Sequence, residues 1–409
     1  MRTYKQRLYT SKKIDKRLNE MLFNCWLVYN HLVVLCDRHY KIFKNDERFK
    51  KKLNPSKFTL CAHLTKMKRT KKWNPILSSI PCHTYQQIAE RVANSYKLFF
   101  SNLKNGRKDK AGKPKRRKFH KYHSFTLYRD ATGLCGDTVR IGRMGHFRIV
   151  KTYKEYEGRI KRVTIKRDRS GKWWCCICTD STRSEELPRT GHKCGWDFGM
   201  KVFLTASDGT TIESPRFFLK NEKALKKAHK NLSRRAKGSK NRRKAREALS
   251  RLHARAENQR NDWQWKLAKE MVCQNDVLCF ESLNLSGMKK CGHRKVEKNG
   301  RMKTEKFKRF GAKVSDYAYG EFLQKVEYLC RVHGREFVQV SPWFPSSQLC
   351  SECGYKNKDT KDLGVREWTC PKCGAHHDRD VNAAKNILME GASSNWRGTV
   401  RPRSERSVA

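Results

Sequence analysis

"WTCPKCGAHHDRDVNAAKNI" fills residues 368–387, and two kinds of chemistry meet in it. Cys370 and Cys373 stand at C-x2-C spacing, at which a tight turn aims two thiolates at one ion. Gly374 follows directly, as such a turn needs. Upstream, Cys350 and Cys353 repeat the pattern with Gly354 behind them. Sixteen residues separate the two pairs, and the whole reads as one closed, structural zinc site of four thiolates. Four unrelated buried thiols would not repeat in this way. His376 and His377 are further donors that a complete set of four cysteines does not need. Asp378 and Asp380 come next, at the entry to a predicted helix. Aspartate is a preferred helix N-cap, so each of them, taken alone, has a structural reading.

The surrounding charge makes those carboxylates stand out. The chain has 409 residues, with 93 Lys and Arg against 39 Asp and Glu, for a formal charge of +54. Solubilising surfaces mix both signs; here one sign dominates, which predicts an extended nucleic-acid partner. A duplex of ~20 bp carries roughly 40 phosphates, a number of the same order as the excess charge. The length allows two to four domains. No run of ~18 apolar residues predicts a membrane span, and MRTYKQRLYT lacks the apolar centre of a secretory signal. The expected setting is the prokaryotic cytoplasm, in association with the nucleoid. The 17 cysteines are an odd number without a secretory context, which argues against a disulfide framework.

Periodicity supplies the elements. The first ten residues alternate and predict an edge strand. Leu18, Met21, Leu22, Cys25, Trp26 and Tyr29 predict a helix from about Asp15 to His39. Thr84–Phe100 predicts another, burying Ile88, Val92, Tyr96 and Phe99 and leaving Gln86, Gln87 and Arg91 nearer its exposed side. Residues 104–118, KNGRKDKAGKPKRRK, read as a solvated basic connection or a phosphate contact. A hairpin is predicted from Val163–Arg167 and Trp173–Cys178 around Ser170-Gly171; its WWCCIC run reads as a packed strand, not a metal knuckle. Residues 193–214 predict short strands. From Phe217 to Val272 a long helical hairpin is expected, broken near Gly238-Ser239. Between Arg216 and Arg260 it carries seventeen Lys or Arg against three Glu. Its packed seams are thin, Leu225, Ala228 and Leu232 on one arm and Ala245, Ala248, Leu252 and Ala256 on the other. So dense a like charge favours a bound polyanion. Residues 275–287 predict a buried strand ending in Glu281. The basic tract 289–309, with ten Lys or Arg and two Glu, is expected to be mobile without its partner. A helix over Asp316–His333 and a strand over Phe337–Val340 follow.

Three acids therefore mark element ends: Asp197 in a strand, Glu281 at a strand's end and Asp380 at a helix start. Strands of this kind lie side by side in a ribonuclease-H-like sheet, and a helix docked across them would deliver the third carboxylate. Such a cluster repels itself unless divalent cations bridge it, and magnesium prefers carboxylate and phosphate oxygen.

The segments GWDFGMKVFLTASDG, FESLNL, SPWFPSSQLCSECG, WTCPKCG and HDRDVNAAKNI resemble the transposon-encoded TnpB RNA-guided DNA endonucleases, relatives of the compact type V CRISPR effectors. The resemblance covers residues 190–390 closely and extends weakly to the N-terminus through RLYTSKK and WLVYNHLV. It implies a multidomain α+β fold: an N-terminal wedge β-barrel with an inserted helical recognition lobe, then a RuvC-type α/β nuclease domain with an inserted zinc ribbon. The implied parts are 1–188 for barrel and lobe, 189–342 for the first nuclease part with the basic hairpin 217–272, 343–376 for the ribbon, 377–392 for the last nuclease part, and a disordered tail over 393–409. Asp197, Glu281 and Asp380 are implied as the catalytic triad holding two magnesium ions. Cys350, Cys353, Cys370 and Cys373 are implied to hold one zinc ion. Asp378 is assigned to helix entry and Asn382 to the docked helix. Guide RNA, double-stranded target DNA with an adjacent motif, and the displaced single strand are the implied partners. Gln86, Arg234, Arg235, Arg242 and Arg243 are the expected nucleic-acid contacts. The rival readings are a guide-dependent DNA-binding regulator without cleavage and a DDE-type transposase. The latter gives no reason for a four-cysteine ribbon between the second and third carboxylates.

Overall fold

In a computed structural model of the chain, the described residues are 1–43, 45, 55–107, 112–128, 132–141, 144–150, 156–182, 184–288, 291–298, 301–308, 311–362 and 364–393. They fall into two compact units that meet in sequence at Thr182. No helix among them is long and apolar enough to cross a membrane.

The first unit begins with strand β1 (Arg2–Arg7), followed by helices α1 (Lys12–Phe43), α2 (Lys57–Lys68), α3 (Asn74–Ser79) and α4 (Cys82–Lys104). Strands β2 (Ser124–Tyr128), β3 (Thr132–Cys135), β4 (Thr138–Ile141), β5 (His146–Arg148), β6 (Ile160–Arg167) and β7 (Trp173–Thr179) complete it. One sheet has the order β1-β7-β6-β2 and a second the order β3-β4-β5. A bridge between Leu8 and Ile149 links β1 to the second sheet. Along WWCCIC, Trp173, Cys175 and Ile177 are buried, so the cysteines there are packing residues. On the helical side, Leu18, Met21, Leu22, Cys25 and Tyr29 of α1 and Ile88, Val92, Tyr96 and Phe99 of α4 form the core. The connection read as solvated is, over residues 112–118, strapped along α1. Asn30 donates to Arg117 O (3.0 Å) and accepts from Arg117 N (2.8 Å), while Trp26 Nε1 donates to the same carbonyl (2.6 Å). Residues 108–111 of that connection lie outside the described residues.

The second unit opens with β8 (Lys193–Asp197), β9 (Leu204–Ala206) and β10 (Thr211–Ile212), then α5 (Phe217–Lys220), α6 (Glu222–Ser233) and α7 (Lys240–Gln274). Next come β11 (Val277–Glu281), α8 (Leu285–Met288), β12 (Cys291–Lys298), β13 (Arg301–Lys308), α9 (Gly311–Tyr317), α10 (Tyr319–His333) and β14 (Glu336–Val340). The last elements are β15 (Glu367–Thr369), β16 (His376–Asp378) and α11 (Arg379–Ser393). The main sheet has the order β10-β9-β8-β11-β14. Its strands β8, β11 and β14 run parallel, with β9 and β10 folded back antiparallel. Successive residues of a strand point to opposite faces. Cys194, Trp196, Phe198, Leu278 and Phe280 accordingly join α7 and α10 in one core. Cys279 and Val340 meet Ile387 of α11 on the other face.

Three expectations are corrected here. The single helix over Asp316–His333 is two helices, parted at Ala318, which takes the left-handed φ of 49°. The cost of that conformation, ~1–3 kcal/mol, is offset by α7. Arg260 donates to Ser315 O (3.2 Å) and Asp316 O (3.4 Å), and Gln264 to Tyr317 O (2.8 Å). The break turns Tyr317 and Tyr319 onto Phe203. Second, the basic tract, in which no strand was expected, contains a hairpin, β12 pairing with β13 over eight residues; 289–290, 299–300 and 309 lie outside the described residues. Third, the α7 seam runs through Ala245, Leu249 and Ala256, while Ala248 is exposed and Leu252 half-buried. Helix α11 extends to Ser393, and the rest of the expected tail, 394–409, lies outside the described residues.

Candidate active site

The site is built from strand register. Asp276 accepts the amides of Thr190 (3.0 Å) and Gly191 (2.8 Å) and pairs with buried Arg335. Arg335 in turn donates to Pro188 O (2.6 Å) and Val272 O (3.2 Å). These bonds fix the entry to β8 against the start of β11. From there the parallel register runs to Phe280 opposite Trp196, so Glu281 emerges beside Asp197. Alternation puts both carboxylates on the face that α11 covers.

Helix α11 lies unusually close to that face. A Cβ on Gly195 would stand 2.2 Å from Ala384 O and 2.7 Å from Leu388 N. A Cβ on Gly391 would stand 2.5 Å from Cys279 Sγ. Only glycine permits so close an approach, backbone to backbone at Gly195 and backbone to the Cys279 side chain at Gly391, and these contacts fix how the helix crosses β8 and β11. Its N-terminus carries Asp380 into electrostatic reach of Asp197.

The electrostatics of the three acids follow. Asp197 and Glu281 are half-buried. Burial first, then the charges of Glu281 and Asp380, hold Asp197 well above the usual carboxylate range, with Arg379 and the Phe198 amide pulling the other way. Burial pushes Glu281 up to about 7. Arg366 Nη1 reaches Asp380 Oδ2 at 3.3 Å. The donor chemistry, all oxygen and partly withdrawn from water, is that of hard divalent cations which also take phosphate oxygen, though among the described residues it is the four cysteines and not these three acids whose ligand atoms gather within 4.8 Å.

The four predicted cysteines come together, with Sγ atoms all within 4.8 Å of one another. Cys350 and Cys373 are 3.6 Å apart, as are Cys353 and Cys370. A tetrahedron of ~2.3 Å metal–sulfur bonds has edges of about 3.8 Å, so the set fits one four-coordinate ion. The cluster is tied to the carboxylates. β15 pairs with β16, Glu367 opposite Asp378, and β16 runs straight into α11. Asp378 Oδ1 accepts from Asp380 N and Val381 N, both at 2.9 Å, so Asp378 caps the helix that carries Asp380.

Sequence reasoning missed several supports. Asn382 accepts from Ser351 N (2.9 Å) and donates to Leu349 O (2.6 Å). Asn386, one turn on, donates to Ser346 O (2.8 Å) and Leu349 O (2.7 Å). Together they bolt the first cysteine knuckle to α11; their i,i+4 spacing in VNAAKNI was the available signal. His377 Nε2 lies 3.1 Å from Cys350 Sγ and its ring packs on Trp368. Arg366 and Arg379 had no sequence signal in so basic a chain.

The remaining predicted residues are scattered by role. Arg234, Arg235 and Arg243 are exposed on the α6–α7 hairpin. Arg242 is half-buried and turned inward, its Nη1 donating to Leu232 O (2.9 Å) and Arg235 O (2.7 Å). It closes the hairpin loop. Gln86 is half-buried on α4, its Oε1 3.2 Å from His83 Nδ1.

Comparison with known proteins places this geometry. A family model described as "Probable transposase" matches residues 176–292, and one described as "Cas12f1-like, TNB domain" matches 319–387. A protein of Streptomyces pristinaespiralis, whose curated name is that of an RNA-guided DNA endonuclease, is 33% identical over 357 residues, which cover 85% of this chain and 80% of that one. The chain belongs to the TnpB-like family of RNA-guided DNA endonucleases. A second TnpB-like relative, InsQ of Escherichia coli (strain K12), is 28% identical over 317 residues, 77% of this chain and 76% of its own. The multidomain fold resembles that of Cas12f1 in a complex with single guide RNA and target DNA, with a TM-score of 0.55 at 15% identity over 92% of this chain and 83% of that one.

Proposed function

We propose that the chain is an RNA-guided DNA endonuclease that hydrolyses phosphodiesters at Asp197, Glu281 and Asp380, on a RuvC-type, ribonuclease-H-like sheet. One observation carries this reading: in a chain of formal charge +54, Asp197 and Glu281 end neighbouring parallel strands on the face that α11 covers, and Asp380 stands in the first turn of that helix. Two magnesium ions bound by them supply a polarised water and a stabilised leaving oxygen. Neighbouring parallel strands hold Asp197 and Glu281 at a spacing set by backbone hydrogen bonds. Asp380 comes in on a helix whose cap, Asp378, belongs to the ribbon hairpin, so the ribbon orients the third ligand. Arg379 and Arg366 place positive charge beside the cluster, where the scissile phosphate also brings negative charge.

Zinc in the four-cysteine cluster is structural: every coordination position is filled by a thiolate, leaving none for substrate. In this reading the chain divides as barrel and recognition lobe over 1–188, nuclease over 189–342 and 377–392, and zinc ribbon over 343–376. β1–β7 form the wedge barrel and α1–α4 the lobe that reads a short duplex motif beside the target, with Gln86 at that contact. Guide RNA and target DNA lie along the basic faces, Arg234, Arg235 and Arg243 among them. Base pairing supplies sequence specificity, and the protein supplies the flanking motif and the cut.

The test is co-purification of the protein with RNA from its native locus, sequencing of that RNA, and incubation with magnesium and a plasmid library bearing the matched target with random flanks. Cutting that needs the guide, a defined flank and Asp197 is expected. Bound RNA and target without cutting by the wild type would replace this reading with that of a regulator.

A further inference from the structure

The segment leaving the nuclease sheet after β14 holds a tryptophan that folding does not use. Trp343 is 90% exposed, while its neighbour Phe344 packs against Cys279, Val340 and Ile387. The turn that carries them is tied by backbone hydrogen bonds. Trp343 N donates to Ser341 Oγ (3.3 Å), Phe344 N to Ser341 O (3.1 Å) and Ser346 N to Phe344 O (2.9 Å). Asn386 of α11 holds Ser346 O from the other side. Pro342 and Pro345 fix their own φ on either flank. Scattered exposed apolar side chains are ordinary, but an indole is among the largest groups a fold can bury. A pinned turn that buries Phe344 and leaves Trp343 in solvent presents the ring outward.

Its position gives the ring a use. Asp197 and Glu281 stand at the carboxyl ends of β8 and β11, and Glu281 is paired with Val340, the last residue of β14. Strand spacing of ~4.8 Å and a three-residue turn place the Trp343 backbone roughly 10 Å from that of Glu281. The turn that carries the ring therefore leaves the sheet at the same end as the two strand carboxylates. A flat π surface beside a phosphodiester centre accepts any base, since every base has a stacking face.

We propose that Trp343 is a stacking platform for a nucleobase of the strand being cut, and so a positioning residue for cleavage. This rests on the endonuclease reading above. Stacking there holds the strand's backbone in register with Asp197, Glu281 and Asp380.

The experiment uses full-length, guide-loaded protein as wild type, Trp343→Phe and Trp343→Ala. Single-turnover cleavage is measured on targets carrying an abasic nucleotide at successive positions around the cut. Trp343→Ala is expected to slow cleavage on the order of tenfold, with Trp343→Phe restoring most of the rate and target binding unchanged in both. One abasic position should slow the wild type by a similar factor and leave Trp343→Ala no slower than before. An alanine variant that cuts at the wild-type rate, or that loses target binding instead, overturns the inference. A second measurement separates it from the endonuclease reading. With Asp197→Ala in every protein, target DNA should quench tryptophan emission more when Trp343 is present than in Trp343→Phe. Equal quenching overturns the stacking role whether or not the wild type cuts.

Discussion

Asp378 Oδ1 is occupied by two backbone amides, whereas the carboxylate of Asp380 meets a single guanidinium at 3.3 Å and the field of Asp197. Two acids two residues apart thus do different work, and Asp378→Ala should cost about 1 kcal/mol of stability, as loss of a helix cap does. Glu281 is pushed from 4.5 up to about 7, and this makes the metal-free protein pH-sensitive in an unusual direction. A raised carboxyl binds more protons folded than unfolded between those values, so its contribution falls as pH rises from about 4.5 to 7. A melting curve in a chelator should show that decline, and added magnesium should reverse it at neutral pH. A flat profile would mean that Glu281 is not held out of water as its burial implies. Gly195→Ala puts a methyl against the Ala384 carbonyl, an overpacking that costs ~1–3 kcal/mol or more. It should abolish cleavage by lifting α11 while leaving guide binding intact. That Asp197 and Glu281 end strands and Asp380 starts a helix was legible because these are local landmarks. Gly195 was not, because a glycine's need for close approach shows only once its neighbour is in place.

Helix α11 and the ribbon act together, since β16 ends where α11 begins and Asn382 and Asn386 hold the first knuckle. Cys373→Ser should therefore lower bound zinc below one per chain by elemental analysis and reduce cleavage much more than guide binding. Equal loss of both would assign the ribbon to RNA contact. On the α6–α7 hairpin, exchanging Arg234, Arg235 and Arg243 for Ser should lower the slope of log affinity against log salt by about 2–3, one phosphate contact for each arginine. Arg242→Ala should instead loosen the hairpin, because its guanidinium closes the loop. Helix period and strand alternation made these elements visible in the sequence, including the β6–β7 hairpin and the break near Gly238. The split at Ala318 was invisible, because its stabilising partners, Arg260 and Gln264, lie more than fifty residues away. Composition also gave no sign of the hairpin over 291–308, in which a basic tract pairs with itself.

Across the whole chain, charge and chemistry are segregated. An excess of positive charge runs through both units, and Asp197 and Glu281 lie on a sheet face covered by a helix that carries Asp380 and is capped from the four-cysteine ribbon. That contrast made a nucleic-acid enzyme legible from sequence; the order of the motifs, not the charge alone, carried the family. The most direct test compares guided cleavage of one matched target by wild type, Asp380→Asn and Asp378→Asn, with guide and target binding measured alongside. Asparagine still caps a helix, so Asp378→Asn should cut near the wild-type rate, while Asp380→Asn should bind equally and not cut. Cleavage by Asp380→Asn, or equal loss in both variants, would contradict the account.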